Sequence, residues 1–283
     1  MSVRIPALVQ NQVMANFPKR PRDSHKGLFG TVAVIGGANG MVGAPLLAAR
    51  AALKLGAGCV HVGLLADNAP GVDILQPELM LHSASTALQL PDVEVLAIGC
   101  GLGTSIAAQK ILYETLKRNA VLVIDADALN LLARHSDMQN DLRTRKHPSV
   151  LTPHPGEAAR LLGCKINDVQ ADRVAAMQEL AQKFACSVVL KGADSLCATR
   201  DGKLFANKTG NSGMSSAGLG DVLTGMIAAF IAQGMSADDA LLLAVHLHGA
   251  AGDALAAQTA TIGMTATEVT EWARWLLNQW LDK

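Results

Sequence analysis

A lone acid, Asp221, closes a run of small residues, AGLGD (217–221), and opens an apolar stretch, VLTGMIAAF (222–230). The glycine-rich half is a poor helix former, and the apolar half fits little else. The junction reads as a helix N-terminus with a carboxylate in its first turn. The backbone N–H groups of Ala217, Gly218, Leu219 and Gly220 would face the space before that helix, where the dipole favours negative charge. An acid beside an anion site costs like-charge repulsion unless a proton or a metal ion is involved. Asp221 therefore has two readings. It is an acid favoured by the dipole alone, or a base held beside bound phosphate. The glycines around it favour the base.

His154 lies in TPHPGE (152–157), a strand-end turn with Glu157 three residues on. A turn histidine satisfied by local backbone is an equal reading. His246 and His248 are two apart on an expected helix, so they do not share a face. No HExxH occurs, and a histidine-based metal centre is not expected. GGANGMVG (36–43) and Gly99, Gly101 and Gly103 of GCGLGTS imitate a dinucleotide fingerprint. The spacing of the first is wrong, and Thr104 stands where the last glycine of the second belongs. Asp125 would be a ribose acid only within that fingerprint. GxxxxGK[ST] is absent, which excludes a Walker NTPase. Both glycine clusters read as tight strand-to-helix turns that let a ligand approach the backbone.

The elements that must position these residues alternate. Strands are expected at 31–35, 59–65, 93–99, 120–127, 149–154 and 187–192. The Asp201-Gly202 pair centres a hairpin over 194–207. Helices are expected at 44–58, 106–117, 168–184, 219–233, 237–257 and 265–281. Strand–helix alternation predicts a mostly parallel sheet between two helical layers, with ligands beyond the carboxyl ends of the strands. No linker divides the chain, so residues 1–283 read as one domain. A chain near this length buries roughly three quarters of its unfolded surface.

Half of the residues are hydrophobic, which argues against disorder. Lys plus Arg and Asp plus Glu are 24 each, and aromatics are 3%. Neither fits a nucleic-acid binder. The five cysteines, an odd number without CxxC spacing, are expected as reduced thiols of a cytoplasmic protein. MSVRIPALVQ lacks the apolar segment of a signal peptide. The apolar stretches 222–232 and 240–245 are too short or interrupted to span a bilayer, so no membrane partner is expected.

AGLGDVLTG, with TGNSGM upstream, resembles the ribokinase-like superfamily, whose GxGD turn joins an anion hole to a catalytic base. GGANGMVGAPLLAARAALKLGAG (36–58), IGCGLG (98–103), VIDADALNLLA (123–133), LTPHPGEAARLLG (151–163) and VVLKGADSL (188–196) narrow the likeness. In this order they resemble the ADP- or ATP-dependent NAD(P)H-hydrate dehydratases, the C-terminal domain of the YjeF family, over about residues 25–270. The resemblance implies a ribokinase-like three-layer α/β/α sandwich. It implies that Ala44, Gly103, His154 and Asp221 contact the hydrated dinucleotide, and that Lys191, Gly192, Ala193, Asp194, Ser195 and Gly220 hold the adenine nucleotide. It also implies an anion hole from Ala217, Gly218, Leu219 and Gly220, Asp221 as base, and Glu157 organising Mg²⁺ and phosphate through water. Asp127 and Asn130 fall in a matching motif without an assigned role.

The implied reaction moves the terminal phosphoryl of ADP or ATP onto the ring hydroxyl of the S-epimer of hydrated NADH or NADPH. Phosphate elimination then restores the cofactor. Cys100 stands where a proline is usual, and Ser215, Ser216 and Leu219 replace the more common Ala, Thr and Thr. None of these removes an anion-hole N–H. The N-terminal epimerase domain of the family has no counterpart, so a separate epimerase is implied as a functional partner. Two rivals stand: a kinase of the hydroxyethylthiazole kinase type, which stops after transfer, and a nucleotide sensor, which would not require Asp221. The sequence leaves open the choice of ADP or ATP and of NADH or NADPH hydrate. It also leaves open whether the apolar helices at 219–257 pack within the fold or across a homo-oligomer interface.

Overall fold

In the computed structural model, residues 5–259 and 261–281 are described. The first four residues of the MSVRIPALVQ stretch lie outside them. The described strands are β1 (Thr31–Gly36), β2 (Cys59–Leu64), β3 (Met80–Ser83), β4 (Val95–Ile98), β5 (Val121–Ile124), β6 (Ser149–Leu151), β7 (Ser187–Leu190), β8 (Leu196–Ala198) and β9 (Leu204–Ala206). They form a single sheet in the order β3-β2-β1-β4-β5-β6-β7-β8-β9. All pairings from β3 to β7 are parallel, and β7-β8-β9 is antiparallel. The hairpin closes at Asp201-Gly202, where Gly202 has φ +85°.

Parallel strands covered on both faces should be apolar at every position. VLAI of β4 and SVVL of β7 are buried throughout. Alternate residues feed two cores. Val32, Val34, Val95 and Ala97 point to a layer built from helices Gly43–Lys54, Leu219–Ala232, Ala237–Gln258 and Ala266–Leu281. Ala33, Ile35, Leu96 and Ile98 point to the other layer, built from helices Ala84–Gln89, Ile106–Leu116, Ala126–Arg134, Pro155–Leu162 and Arg173–Phe184, among others. This is the expected three-layer sandwich.

The structure departs from expectation at several elements. MLHS forms an edge strand, β3, whose sparse burial gives no alternating signal. The strand expected over 120–127 stops at Ile124. Asp125 caps the helix Ala126–Arg134 through the Ala126 N–H. The helix expected over 168–184 breaks at Asp172, whose carboxylate accepts from the Ala175 N–H and starts a new helix at Arg173. The helix expected over 237–257 is present as Ala237–Gln258. It is long and apolar enough to cross a membrane by length and composition, whereas the sequence reading weighs only its run 240–245 for that. Within the fold it is largely buried, packed on helices Leu219–Ala232 and Ala266–Leu281.

After β1 the chain moves outward to β2 and β3, then returns to β4 on the other side of β1. The carboxyl ends of β1 and β4 therefore flank a topological switch point, where such sheets bind ligands.

Candidate active site

The site forms along the carboxyl ends of β1, β4, β5, β6 and β7, which are consecutive in the sheet. The turn after β1 donates from the Gly37 N–H to the Cys100 carbonyl (3.1 Å) and from the Ala38 N–H to the Gly101 carbonyl (2.7 Å). This locks the two glycine turns together. Gly99, at φ +126°, lies so close to the Asp125 carbonyl that any Cβ would overlap it. A Cβ at Gly101 would lie 3.2 Å from the Ala44 Cβ, which places Ala44 beside the Gly101–Gly103 turn. The Gly103 N–H donates to Asp127 Oδ2 (2.8 Å).

Helix Leu219–Ala232 is hydrophobic all round because it is buried on nearly every side. It begins after Gly218 in the left-handed conformation (φ +89°), and no side chain among the described residues caps it. Helices Ala84–Gln89, Ile106–Leu116 and Ala237–Gln258 are capped by Ser83, Ser105 and Ser236. The first N–H groups at Leu219, Gly220 and Asp221 thus remain available to an anion. A Cβ on Gly220 would lie 3.3 Å from Lys191 Nζ, so this turn and the lysine of KGADS face each other.

Lys191 Nζ also donates to Asp125 Oδ1 (2.7 Å), while Thr224 Oγ1 donates to Asp125 Oδ2 (2.9 Å). Burial would lower the Lys191 pKa, but Asp125 and Glu157 outweigh it and raise it. Asp221 is pushed up to about 6, chiefly by burial. Asp125 and Asp127 add to the rise; the facing Cys100 thiol and Lys191 oppose it. Glu157 is pushed up to about 7 by burial, against the pull of Lys191 and with help from Asp125.

His154 caps its own helix. Its Nδ1 accepts from the Gly156 N–H (2.9 Å) and the Glu157 N–H (3.3 Å), which puts the ring proton on Nε2, 3.3 Å from Glu157 Oε1. Glu157 Oε2 accepts from the His154 N–H (2.8 Å). Burial first, then Lys191 and Arg160, lower the His154 pKa and keep the ring neutral. The local backbone satisfaction expected of a turn histidine is therefore present, and half of the side chain remains exposed at the site.

In the Lys191–Ser195 segment, the Lys191 N–H donates to the Pro153 carbonyl (2.9 Å), tying it to the His154 turn. Gly192 and Asp194 take positive φ, Ser195 Oγ donates to the Gly192 carbonyl, and Lys208 pairs with Asp194 at 2.6 Å. Gly192, Ala193 and Asp194 are exposed. Ala44, Gly103, His154, Glu157, Lys191, Gly220 and Asp221 thus come together at this end of the sheet.

Sequence reading assigned four residues no role at this site. Asp125 was considered only as a ribose acid, yet it joins Lys191 to Thr224. The Arg173 guanidinium lies beside Gly192 and donates to the Leu190 carbonyl at 3.2 Å. His248 lies against the Leu219 backbone, pushed down to about 4 by burial. Thr224 and Arg173 carry no local motif, and His248 was weighed only as a metal ligand, so the three-dimensional placement alone brings them to this site.

Among the described residues no three His, Cys, Asp or Glu side chains form a metal-chelating group. Asp125, Asp127 and Glu157 are committed to Lys191, Gly103 and His154 respectively. This donor set fits an Mg²⁺ carried on nucleotide phosphates and reached through water, and not an all-protein cage.

Order of strands, uncapped turn and acid define a ribokinase-like α/β fold. The comparisons narrow it. The family described as NAD(P)H-hydrate dehydratase matches residues 32–274. The chain belongs to the NAD(P)H-hydrate dehydratase family. It is 44% identical, over 93% of its length and 90% of the relative's, to the ADP-dependent (S)-NAD(P)H-hydrate dehydratase of Neisseria meningitidis. It is 41% identical to the bifunctional NAD(P)H-hydrate repair enzyme Nnr of Escherichia coli, over 89% of this chain and 48% of that one. The crystal structure of the ADP/ATP-dependent NAD(P)H-hydrate dehydratase from Bacillus subtilis, co-crystallized with ATP/Mg²⁺, superposes with TM-score 0.86 at 28% identity, covering 99% of this chain and all of that one. A hydroxyethylthiazole kinase from Pyrococcus horikoshii reaches TM-score 0.61 at 16% identity, over 87% of this chain and 88% of that one, and shares the fold alone.

Proposed function

We propose that the chain is an ADP-dependent dehydratase for the S-epimer of hydrated NADH or NADPH. The observation that carries this reading is the Asp221 carboxylate at an uncapped helix turn facing Lys191, in a chain of the dehydratase family.

The uncapped N–H groups from Leu219 onward would receive the transferring phosphoryl group, and Lys191 would meet its charge from across the turn. Asp221 would accept the proton of the ring hydroxyl as its oxygen attacks the terminal phosphorus of ADP. Such a positioned base typically contributes about 10²–10⁴-fold. AMP departs as the oxygen–phosphorus bond forms. The ring-nitrogen lone pair then breaks the carbon–oxygen bond and expels phosphate. Loss of a proton from the adjacent ring carbon, with the departing phosphate as acceptor, restores the dihydronicotinamide. Bound Mg²⁺ would supply charge neutralisation on the phosphates. Glu157 fits a role through water, since its own oxygens are held by His154. Gly103 and Ala44 bound the space on the β1–β4 side, and His154 bounds it over β6; we assign these to the hydrated dinucleotide. The Lys191–Ser195 segment and Gly220 are assigned to ADP.

The chain spans about half the length of the bifunctional repair enzymes it matches. We propose a functional link to an NAD(P)H-hydrate epimerase activity that converts the R-epimer. All five cysteines are free thiols, in keeping with a cytoplasmic setting.

The product separates this reading from a kinase. A phosphorylated ordinary alcohol accumulates as a stable ester, whereas a phosphate on carbon beside a ring nitrogen does not survive. With hydrated NADH, ADP and Mg²⁺, phosphorus NMR should show one AMP and one inorganic phosphate per NADH restored. A stable phosphate ester on a thiazole or sugar alcohol, with the hydrate untouched, would replace the dehydratase with a kinase.

A further inference from the structure

The chemistry above touches one ring of a dinucleotide. The other half, an adenosine phosphate, must lie on some surface that continues from the substrate side of the site. A cleft of about 390 Å³ does so along helix Pro155–Leu162 and the turn beyond it. It starts at Gly156, next to the His154 ring, and runs to Cys164, a rise of roughly 12 Å along a helix. Its lining is half apolar, with Gly156, Ala159 and Ile166, the last half exposed, on the apolar side. Arg160 and Lys165, both exposed, stand on its rim.

A hydrogen-bond chain links this cleft to the glycine turn at the site. Arg160 Nη1 donates to Asn130 Oδ1 (2.9 Å), Asn130 Nδ2 donates to Asp127 Oδ1 (3.4 Å), and Asp127 Oδ2 accepts from the Gly103 N–H (2.8 Å). Apolar lining for a base and two cations for phosphate are the recognition chemistry of a nucleoside phosphate. The co-substrate ADP has its own segment, Lys191–Ser195, beyond β7, whereas the cleft lies on the helix that follows β6.

We infer that this cleft is the subsite for the adenosine-phosphate half of the hydrated dinucleotide, with Arg160 and Lys165 meeting its phosphates and Ile166 supporting its base. The inference rests on the dehydratase reading. It makes the enzyme selective for dinucleotides over hydrated nicotinamide mononucleotide.

Cys164 lines the cleft and is exposed, while Cys100, Cys186 and Cys197 are buried and Cys59 is half-buried. Alkylation of Cys164 by a maleimide, read peptide by peptide in a mass spectrometer, therefore reports occupancy without an activity assay. Saturating NADH, the product, should slow Cys164 alkylation several-fold. Reduced nicotinamide mononucleotide and ADP should leave it unchanged. The variant K165E, which leaves the Arg160–Asn130–Asp127 chain to the Gly103 turn intact, should abolish NADH protection. It should raise KM for hydrated NADH about tenfold, the scale of lost charge-assisted contacts, while turnover of the hydrated mononucleotide stays at the wild-type level. Protection by ADP would give the cleft to the co-substrate and overturn the inference. So would Cys164 that alkylates equally fast with and without NADH in an enzyme that restores NADH. If the wild-type enzyme restores no NADH from hydrate and ADP, the dehydratase reading fails instead.

Discussion

Asp221 combines partial burial with acidic neighbours, and both raise its pKa to about 6. A raised pKa makes a carboxylate a better base, provided the pH keeps it ionised. The kcat/KM for hydrated NADH should therefore fall as pH drops through about 6. Asp221→Asn should lower turnover by about 10²–10⁴-fold and leave ADP affinity by calorimetry within a factor of about two, since it keeps the shape and every backbone N–H. Normal turnover with lost ADP affinity would remove the base assignment. The same shift has a stability consequence. Between the unfolded value near 4 and the folded value near 6, the native state holds the extra proton, so the ionised carboxylate destabilises the fold as pH rises through that window. Asp221→Asn should raise the urea midpoint at pH 8, and the gain should vanish near pH 4. An equal gain at both pH values would mean that the shift is not the cause. Asp221 was legible in the sequence because its glycines and its helix are contiguous. Asp125 was not, because its partners Lys191 and Thr224 lie 66 and 99 residues away.

At the scale of elements, the position of the uncapped turn at 218–220 depends on two helices in close contact. Gly225 of Leu219–Ala232 meets the backbone of Gly43–Lys54; a Cβ there would lie 2.0 Å from the Ala48 carbonyl oxygen. Gly225→Val should separate the helices and destabilise the protein by about 1–3 kcal/mol, as overpacking does, with a lower denaturant midpoint. An unchanged midpoint would show that the contact is loose. Gly220→Val acts on the turn itself: its side chain would crowd Lys191 and the phosphate path, so an ADP titration of the folded variant should show no binding. Unaltered ADP affinity would move the anion site elsewhere. Most elements were legible because their periods are clean, as in VLVI of β5 and the apolar run of Leu219–Ala232. The break at Asp172 was hidden because ADRVAA continues a helical pattern, and a cap declares itself only through its hydrogen bond. The edge strand β3 was hidden because it exists by pairing with β2, not by its own alternation.

Across the whole molecule, β1, β4, β5, β6 and β7 bring one segment each to the same end of the sheet: Gly37, Gly103, Asp125, His154 and Lys191. The order that makes them neighbours, with β4 returning beside β1, is a property of topology and not of any local stretch. Saturating ADP with Mg²⁺ should bind the native state alone and raise the melting temperature, by linkage about 2.7 kcal/mol at one hundred times Kd. The Gly220→Val variant should lose that rise. The central claim, that this end of the sheet repairs a hydrated nicotinamide ring at the expense of a nucleotide, is tested most directly by absorbance. Purified enzyme with S-epimer NADH hydrate and Mg²⁺ should show no change until ADP is added. The near-ultraviolet band of NADH should then return with wild type, and not with Asp221→Asn. Consumption of ADP with no return of that band, or its return without nucleotide, would contradict the account.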